Sequence, residues 1–117
     1  MKDLQVRTRS YAPRIIRLFD ELPKTNPAKT IGSQILRSGT SVGANYAESC
    51  RARSDADFIN KHEICLQELE ETLYWLDLIL DAGIKEEQLL APLRKETEEL
   101  IAIFITIIKR TKSRNKA

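Results

Sequence analysis

Histidine occurs once in this chain, cysteine twice, and glycine and proline four times each. Each scarcity removes a class of protein. With His62 as the lone imidazole, Ser38, Ser41 and Cys65 have little to activate them, and no strand–turn–helix nucleophile elbow surrounds any of the three. Ile59, not a glutamate, stands three residues before His62, so the Glu-x-x-His ligand pair of a di-iron bundle is missing. Glu48, Glu68 and Glu71 can form a carboxylate cluster, but without a histidine beside them no metal site is expected. Cys50 and Cys65 match no zinc or redox spacing and are expected to be buried or partly buried free thiols. Gly32, Gly39 and Gly43 belong to a helical pattern and not to a phosphate-binding loop. These readings predict a protein that is not an enzyme and needs no cofactor, with His62 at a surface or boundary position.

Long apolar runs are also lacking. No window approaches the roughly 18 apolar residues of a membrane span, and Met1-Lys2-Asp3-Leu4-Gln5 lacks the apolar core of a signal peptide. A cytoplasmic protein without a membrane role is the expectation. What is abundant is Leu, Ile, Ala, Glu, Lys and Arg, a helical composition. At 117 residues the chain suits a single domain, residues 1–117, with one core.

Four helical segments can be read from the spacing. The first runs from about 4 to 22, with Tyr11, Ala12, Ile15, Ile16, Phe19 and Leu22 as its apolar stripe. Pro13 should kink it unless a separate turn precedes. Pro23 and Pro27 give a firm stop before the second helix, 28–51, which carries Ile31, Ile35, Val42 and Tyr46. Its three glycines each weaken helix propensity by roughly 1 kcal/mol, which close approach of a neighbouring helix would explain. The alternative is a break near Ser38-Gly39-Thr40. Ser54 caps the third helix, 54–82, with Asp55 and Asp57 at its positive end and Gly83 as a left-handed stop. The fourth, 85–110, holds Leu89, Leu93, Leu100, Ile101, Phe104, Ile107 and Ile108, with Pro92 inside it. The basic tail 109–117 is expected to fray. Four helices with short connections predict an all-α, antiparallel up-and-down four-helix bundle. Leu100–Ile108 is apolar around most of the helix, and its surplus near Ile103 and Ile105 predicts a further contact, most simply a homo-oligomer.

Charge is unevenly placed. Residues 1–53 carry ten Lys/Arg and four acids, residues 54–108 four and thirteen, and residues 109–117 five and none. Such a division favours complementary docking within or between chains, and it leaves a basic half and tail for a polyanion. Arg7, Arg14, Arg17, Lys24, Arg51 and Arg53 are the candidate contacts to RNA or DNA, set against the plainer reading of a solvated face. Trp75, with Tyr74 adjacent, reads as core packing and not as a base-stacking platform.

The second helix has one stripe too many. Gln34, Arg37 or Ser38, Ser41, Asn45 and Glu48 recur at three- and four-residue steps, and Lys61, Ile64, Glu68, Glu71 and Trp75 match them on the third helix. A buried or half-buried network joining Arg37 and Asn45 to Glu68 and Glu71 would fix the register of the two helices.

Gln34-Ile35-Leu36-Arg37-Ser38, Ser41-Val42-Gly43-Ala44-Asn45-Tyr46-Ala47-Glu48 and Glu68-Leu69-Glu70-Glu71-Thr72-Leu73-Tyr74-Trp75-Leu76 together resemble the bacterial four-helix proteins related to those encoded in 23S ribosomal RNA intervening sequences. The resemblance spans about residues 4–110. It implies a bundle that assembles into a homopentameric ring. It also implies a likeness to the accessory protein of diversity-generating retroelements, a pentamer that binds a reverse transcriptase and nucleic acid. Arg37, Ser41, Asn45, Glu48, Glu68, Glu71 and Trp75 carry the signature and the inter-helix network. The expected partners are further copies of the chain, RNA or DNA, and a protein.

Overall fold

The computed structural model describes the backbone of residues 2–116 and the side chains of residues 4–114. Helix α1 spans Lys2–Glu21, α2 Asn26–Ser49, α3 Asp55–Asp81 and α4 Glu87–Lys116, with no strand among the described residues. α1 packs on α2, α2 on α3 and α3 on α4 in an antiparallel bundle measuring 51 × 22 × 20 Å.

Local chemistry sets the helix ends. The Thr25 hydroxyl accepts from the Ala28 amide, so α2 starts two residues before Ala28. Ser54 Oγ accepts from the Asp57 amide at 3.1 Å and caps α3. Gly83, with φ of 68°, turns the chain out of α3 while the Ile84 amide reaches back to the Ile79 carbonyl. That closure takes up Gly83 and Ile84, and α4 begins at Glu87 and not at 85. Pro13 and Pro92 lie at exposed positions inside continuous helices, so no separate turn precedes Pro13. Nor is α2 broken at Ser38-Gly39-Thr40.

Its glycines have a steric cause instead. A Cβ on Gly39 would lie 2.7–2.9 Å from the Ile15 side chain, and one on Gly43 would lie 3.0 Å from the Thr8 carbonyl oxygen. α1 therefore rests against the α2 backbone at two successive turns.

Two expected core positions shift along their helices, by two residues in α1 and by one in α4. Ile16 and Leu89 are exposed, while Leu18 and Leu90 are buried in their place. Adjacent residues on a helix point about 100° apart, and only Leu18 and Leu90 continue the rows formed by Tyr11, Ile15 and Leu22 and by Leu93, Leu100 and Phe104. Cys65 is buried and Cys50 is exposed, because α2 ends at Ser49 and Cys50 belongs to the turn beyond.

His62 is not at the surface. It is 1% exposed, three residues before Cys65 in the buried stripe of α3. Its ring stacks on Phe58 at 3.9 Å and meets Phe104 at 5.3 Å and Tyr46 at 5.7 Å. Nδ1 lies 3.0 Å from the Phe58 carbonyl, which can only accept, so Nδ1 carries the proton. Burial holds the pKa of His62 below its ordinary 6.5 and keeps the ring neutral.

Nor does the tail fray. α4 continues to Lys116; Thr111 is buried and donates to the Ile107 carbonyl, and the exposed Lys112 and Arg114 lie 3.2 Å from Glu63 and 3.7 Å from Asp55. The cations also suit the negative end of the helix dipole. Ala117, the last residue of the expected tail, lies outside the described residues.

Gly43→Ala, which drives a methyl group into backbone, is expected to cost about 1–3 kcal/mol. Gly32→Ala, which meets only the side chains of Leu22 and Phe19, should cost less or nothing in the same denaturant titration. For His62, the unfolded chain takes up a proton near pH 6.5 and the buried ring only below that. The stability that neutral His62 contributes is thus complete above about pH 6.5 and lost as pH falls. His62→Gln is expected to flatten the dependence of Tm on pH between about pH 7 and about pH 5.5.

Candidate functional site: the α2–α3 seam and the basic surfaces

The seam between α2 and α3 has two layers. In the inner layer, Ser38 Oγ and Thr72 Oγ1 are buried 2.7 Å apart. Thr72 donates its proton to the Glu68 carbonyl at 2.7 Å, so Ser38 must donate to Thr72. The outer layer consists of ion pairs. Arg37 bonds to Glu71 and, at 3.3 Å, to Glu68, while Trp75 Nε1 donates to the same Glu71 carboxylate at 3.0 Å. Those two donors, Trp75 first, hold the Glu71 carboxyl below its usual pKa, and the Glu71 bond raises that of Arg37.

Arg37, Glu68, Glu71 and Trp75 therefore form one cluster, but at the surface: the Arg37 side chain is 52% exposed. Asn45 does not join it. The Asn45 amide donates along its own helix to the Ser41 carbonyl at 3.0 Å, and Ser41 Oγ donates to the Arg37 carbonyl. Glu48 pairs separately with Lys61 at 2.7 Å. Trp75 packs against the core, whereas Tyr74 is 60% exposed and meets Trp75 edge-on.

The candidate nucleic-acid contacts do not form one surface. Arg7 is committed within the fold: its guanidinium binds Glu96 through two bonds of 2.6 and 3.1 Å and Glu99 at 2.8 Å, tying α1 to α4 and raising its pKa. Tyr11 donates to Thr97 Oγ1 at 2.6 Å beside this tie, since the Thr97 proton goes to the Leu93 carbonyl. Arg14 and Arg17 lie on α1 with no ion-pair partner among the described residues. Lys24 and the pair Arg51 and Arg53 lie beyond opposite ends of the 24-residue α2, roughly 36 Å apart along the axis. The basic tail, expected as a frayed segment open to a polyanion, is instead the helical end of α4, with Lys109, Arg110, Lys112 and Arg114 all exposed. Thr111, one turn after Ile107 and Ile108, is the residue that could have revealed the helix continuing there.

Elsewhere, an open groove of about 580 Å³ runs between α1 and α2, lined by Val6, Ala12, Thr40, Gly43, Ala44 and Ala47 among others. Among the described residues no three His, Cys, Asp or Glu side chains converge as a metal ion requires. No helix there is long and apolar enough to cross a membrane.

Neighbour-on-neighbour helix packing, buried hydroxyl pairs and an ion-paired seam define a small four-helix bundle. Residues 2–106 match the family described as 23S rRNA-intervening sequence protein, and the chain belongs to that family. Among solved structures it is similar to a protein of unknown function from the S23 ribosomal protein family of Bacteroides thetaiotaomicron. The two share 37% identity and a TM-score of 0.85 over 91% of this chain and 98% of that one. No curated protein matches the sequence.

The two layers of the seam should differ in energy. Exposed ion pairs are worth about 0–1 kcal/mol, so Arg37→Ala is expected to change stability by no more than that. Thr72→Val strips the buried Ser38 hydroxyl of its acceptor and is expected to cost about 1–3 kcal/mol. Chemical denaturation of the two variants compares them directly.

Proposed function

We propose that this chain is a non-enzymatic, cytoplasmic homo-oligomer, assembled as a pentameric ring, that binds RNA or DNA through a basic surface and acts as an accessory to a protein partner. The observation that carries the nucleic-acid reading is the segregation of charge. α3 is strongly acidic, while cations without ion-pair partners among the described residues occupy α1, the α2–α3 loop and the end of α4. The family, named for proteins of ribosomal-RNA intervening sequences, is consistent with a role near RNA. Self-association is supported by apolar surface that one bundle leaves open: Val6, Ile16, Tyr74 and Leu89 are exposed, and Ile103 and Ile105 are half-buried.

The groove between α1 and α2 favours a second reading, a structural or adaptor protein that binds another protein and no nucleic acid. Its small, largely apolar lining is the kind of surface a partner helix fills.

Light scattering is expected to give about five times the 13.4 kDa mass of the chain; a 13.4 kDa particle at micromolar concentration would remove the ring. Anisotropy of labelled RNA and DNA across a salt series separates the two readings of partner. Affinity falling steeply with salt supports nucleic-acid binding, and no binding even at low salt leaves the adaptor.

A further inference from the structure

We propose that one end of the bundle, formed by the α2–α3 loop and the last turns of α4, is a docking face for the phosphate backbone of duplex nucleic acid. The proposal rests on the nucleic-acid reading above and locates its contact.

The antiparallel topology brings two segments distant in sequence to the same end. Arg51 and Arg53 lie in the loop that follows α2. Arg114 meets Asp55, two residues beyond Arg53, at 3.7 Å, and Lys112 meets Glu63 at 3.2 Å. The ends of α4 and of the loop therefore lie beside each other. Six cations, Arg51, Arg53, Lys109, Arg110, Lys112 and Arg114, lie toward this end against Asp55, Asp57 and Glu63, with Glu48 paired to Lys61 beside them. Lys112 and Arg114 are engaged with their acids. Arg51, Arg53, Lys109 and Arg110 are exposed with no ion-pair partner among the described residues. At the far end the balance reverses, with Asp20, Glu21, Asp81, Glu86 and Glu87 against Lys24, Lys29 and Lys85. The molecule is polarised along its 51 Å axis.

The composition of this end selects the partner. The exposed residues of 51–54 and 109–114 are charged or hydroxylic; Ala52 is half-buried and Thr111 buried. A membrane surface is held by inserted apolar and aromatic groups as well as by charge, and protein interfaces have an apolar centre from which lysine is depleted. Neither is offered by these two segments; the exposed Val6 belongs to the neighbouring α1. Single strands are held by bases stacked on exposed aromatic rings. The aromatic residues nearest this end, Phe58 and Tyr46, are instead packed on His62, and the exposed Tyr74 lies well along α3. What remains is a set of cations at the end of a bundle about 20 Å across, suited to a dense and regular array of phosphates. Such a face should bind RNA and DNA duplexes with little regard to sequence.

The test uses the full chain and labelled 20-base-pair RNA and DNA duplexes, the matching single strands, and phosphatidylserine–phosphatidylcholine vesicles. The variant R51Q/R53Q/K109Q/R110Q alters only exposed side chains and should melt as the wild type does. It is expected to bind duplex at least about tenfold more weakly at moderate salt, and to reduce the slope of log affinity against log salt by about 3–4. The control R14Q/R17Q should stay within about twofold of wild type. Wild-type binding that the four changes leave intact would overturn this location of the site while leaving the nucleic-acid reading in place. Wild type that binds neither duplex nor single strand at low salt would overturn both. Tighter binding to single strands or to the vesicles than to duplex would overturn the choice of partner.

Discussion

The approach of α1 to the backbone of α2 is the constraint on which the rest of the bundle depends. Gly39 accepts the Ile15 side chain where a Cβ would stand, and Gly43 lets the Thr8 carbonyl come within van der Waals reach. Three glycines weaken the intrinsic helicity of α2, but close packing across the interface offsets that loss. With α1 seated there, Arg7 can reach Glu96 and Glu99, and Tyr11 can reach Thr97. The closure between the first and last helices is therefore a consequence of glycine positions in the second.

The buried hydroxyl pairs that join helices follow one rule. Ser38 donates to Thr72 and Tyr11 to Thr97, while each threonine passes its own proton to a carbonyl of its own helix. No described buried side-chain nitrogen or oxygen is left without a partner. Each pair fixes the register of two helices without burying a net charge, whose desolvation would be costly. The charged residues of the seam remain at the surface, where they complement the register set beneath them.

The fold was legible because its cause is periodic: apolar spacing, the Ser54 cap and the Gly83 stop each act locally and appear as residue types. Legibility failed where a choice depended on a neighbouring helix. Ile16 and Leu18, or Leu89 and Leu90, are equally apolar, and only the direction of the partner decides which turns inward. His62 looked like a surface residue by type, but its place in the row of Cys65, Leu69 and Thr72 buries it among aromatic rings. Of the seam, Arg37, Glu68, Glu71 and Trp75 were readable as a cluster because matching steps on two antiparallel helices bring them together. Asn45 was not, since its amide has an equally good acceptor on its own helix. Arg7 as a candidate contact illustrates the limit most clearly: a cation's availability depends on carboxylates almost ninety residues away.

The order of packing, α1 on α2, α2 on α3 and α3 on α4, has a kinetic consequence. Each major interface joins helices adjacent in the chain, so little loop entropy is lost before each is rewarded. Contact order is low, the regime in which helical domains fold in roughly microseconds to milliseconds. Among the described residues, the ties of Arg7 and Tyr11 to α4 span the greater part of the chain. They should be the last native contacts to form and the first to open, which makes the α1–α4 edge the natural place for this bundle to breathe.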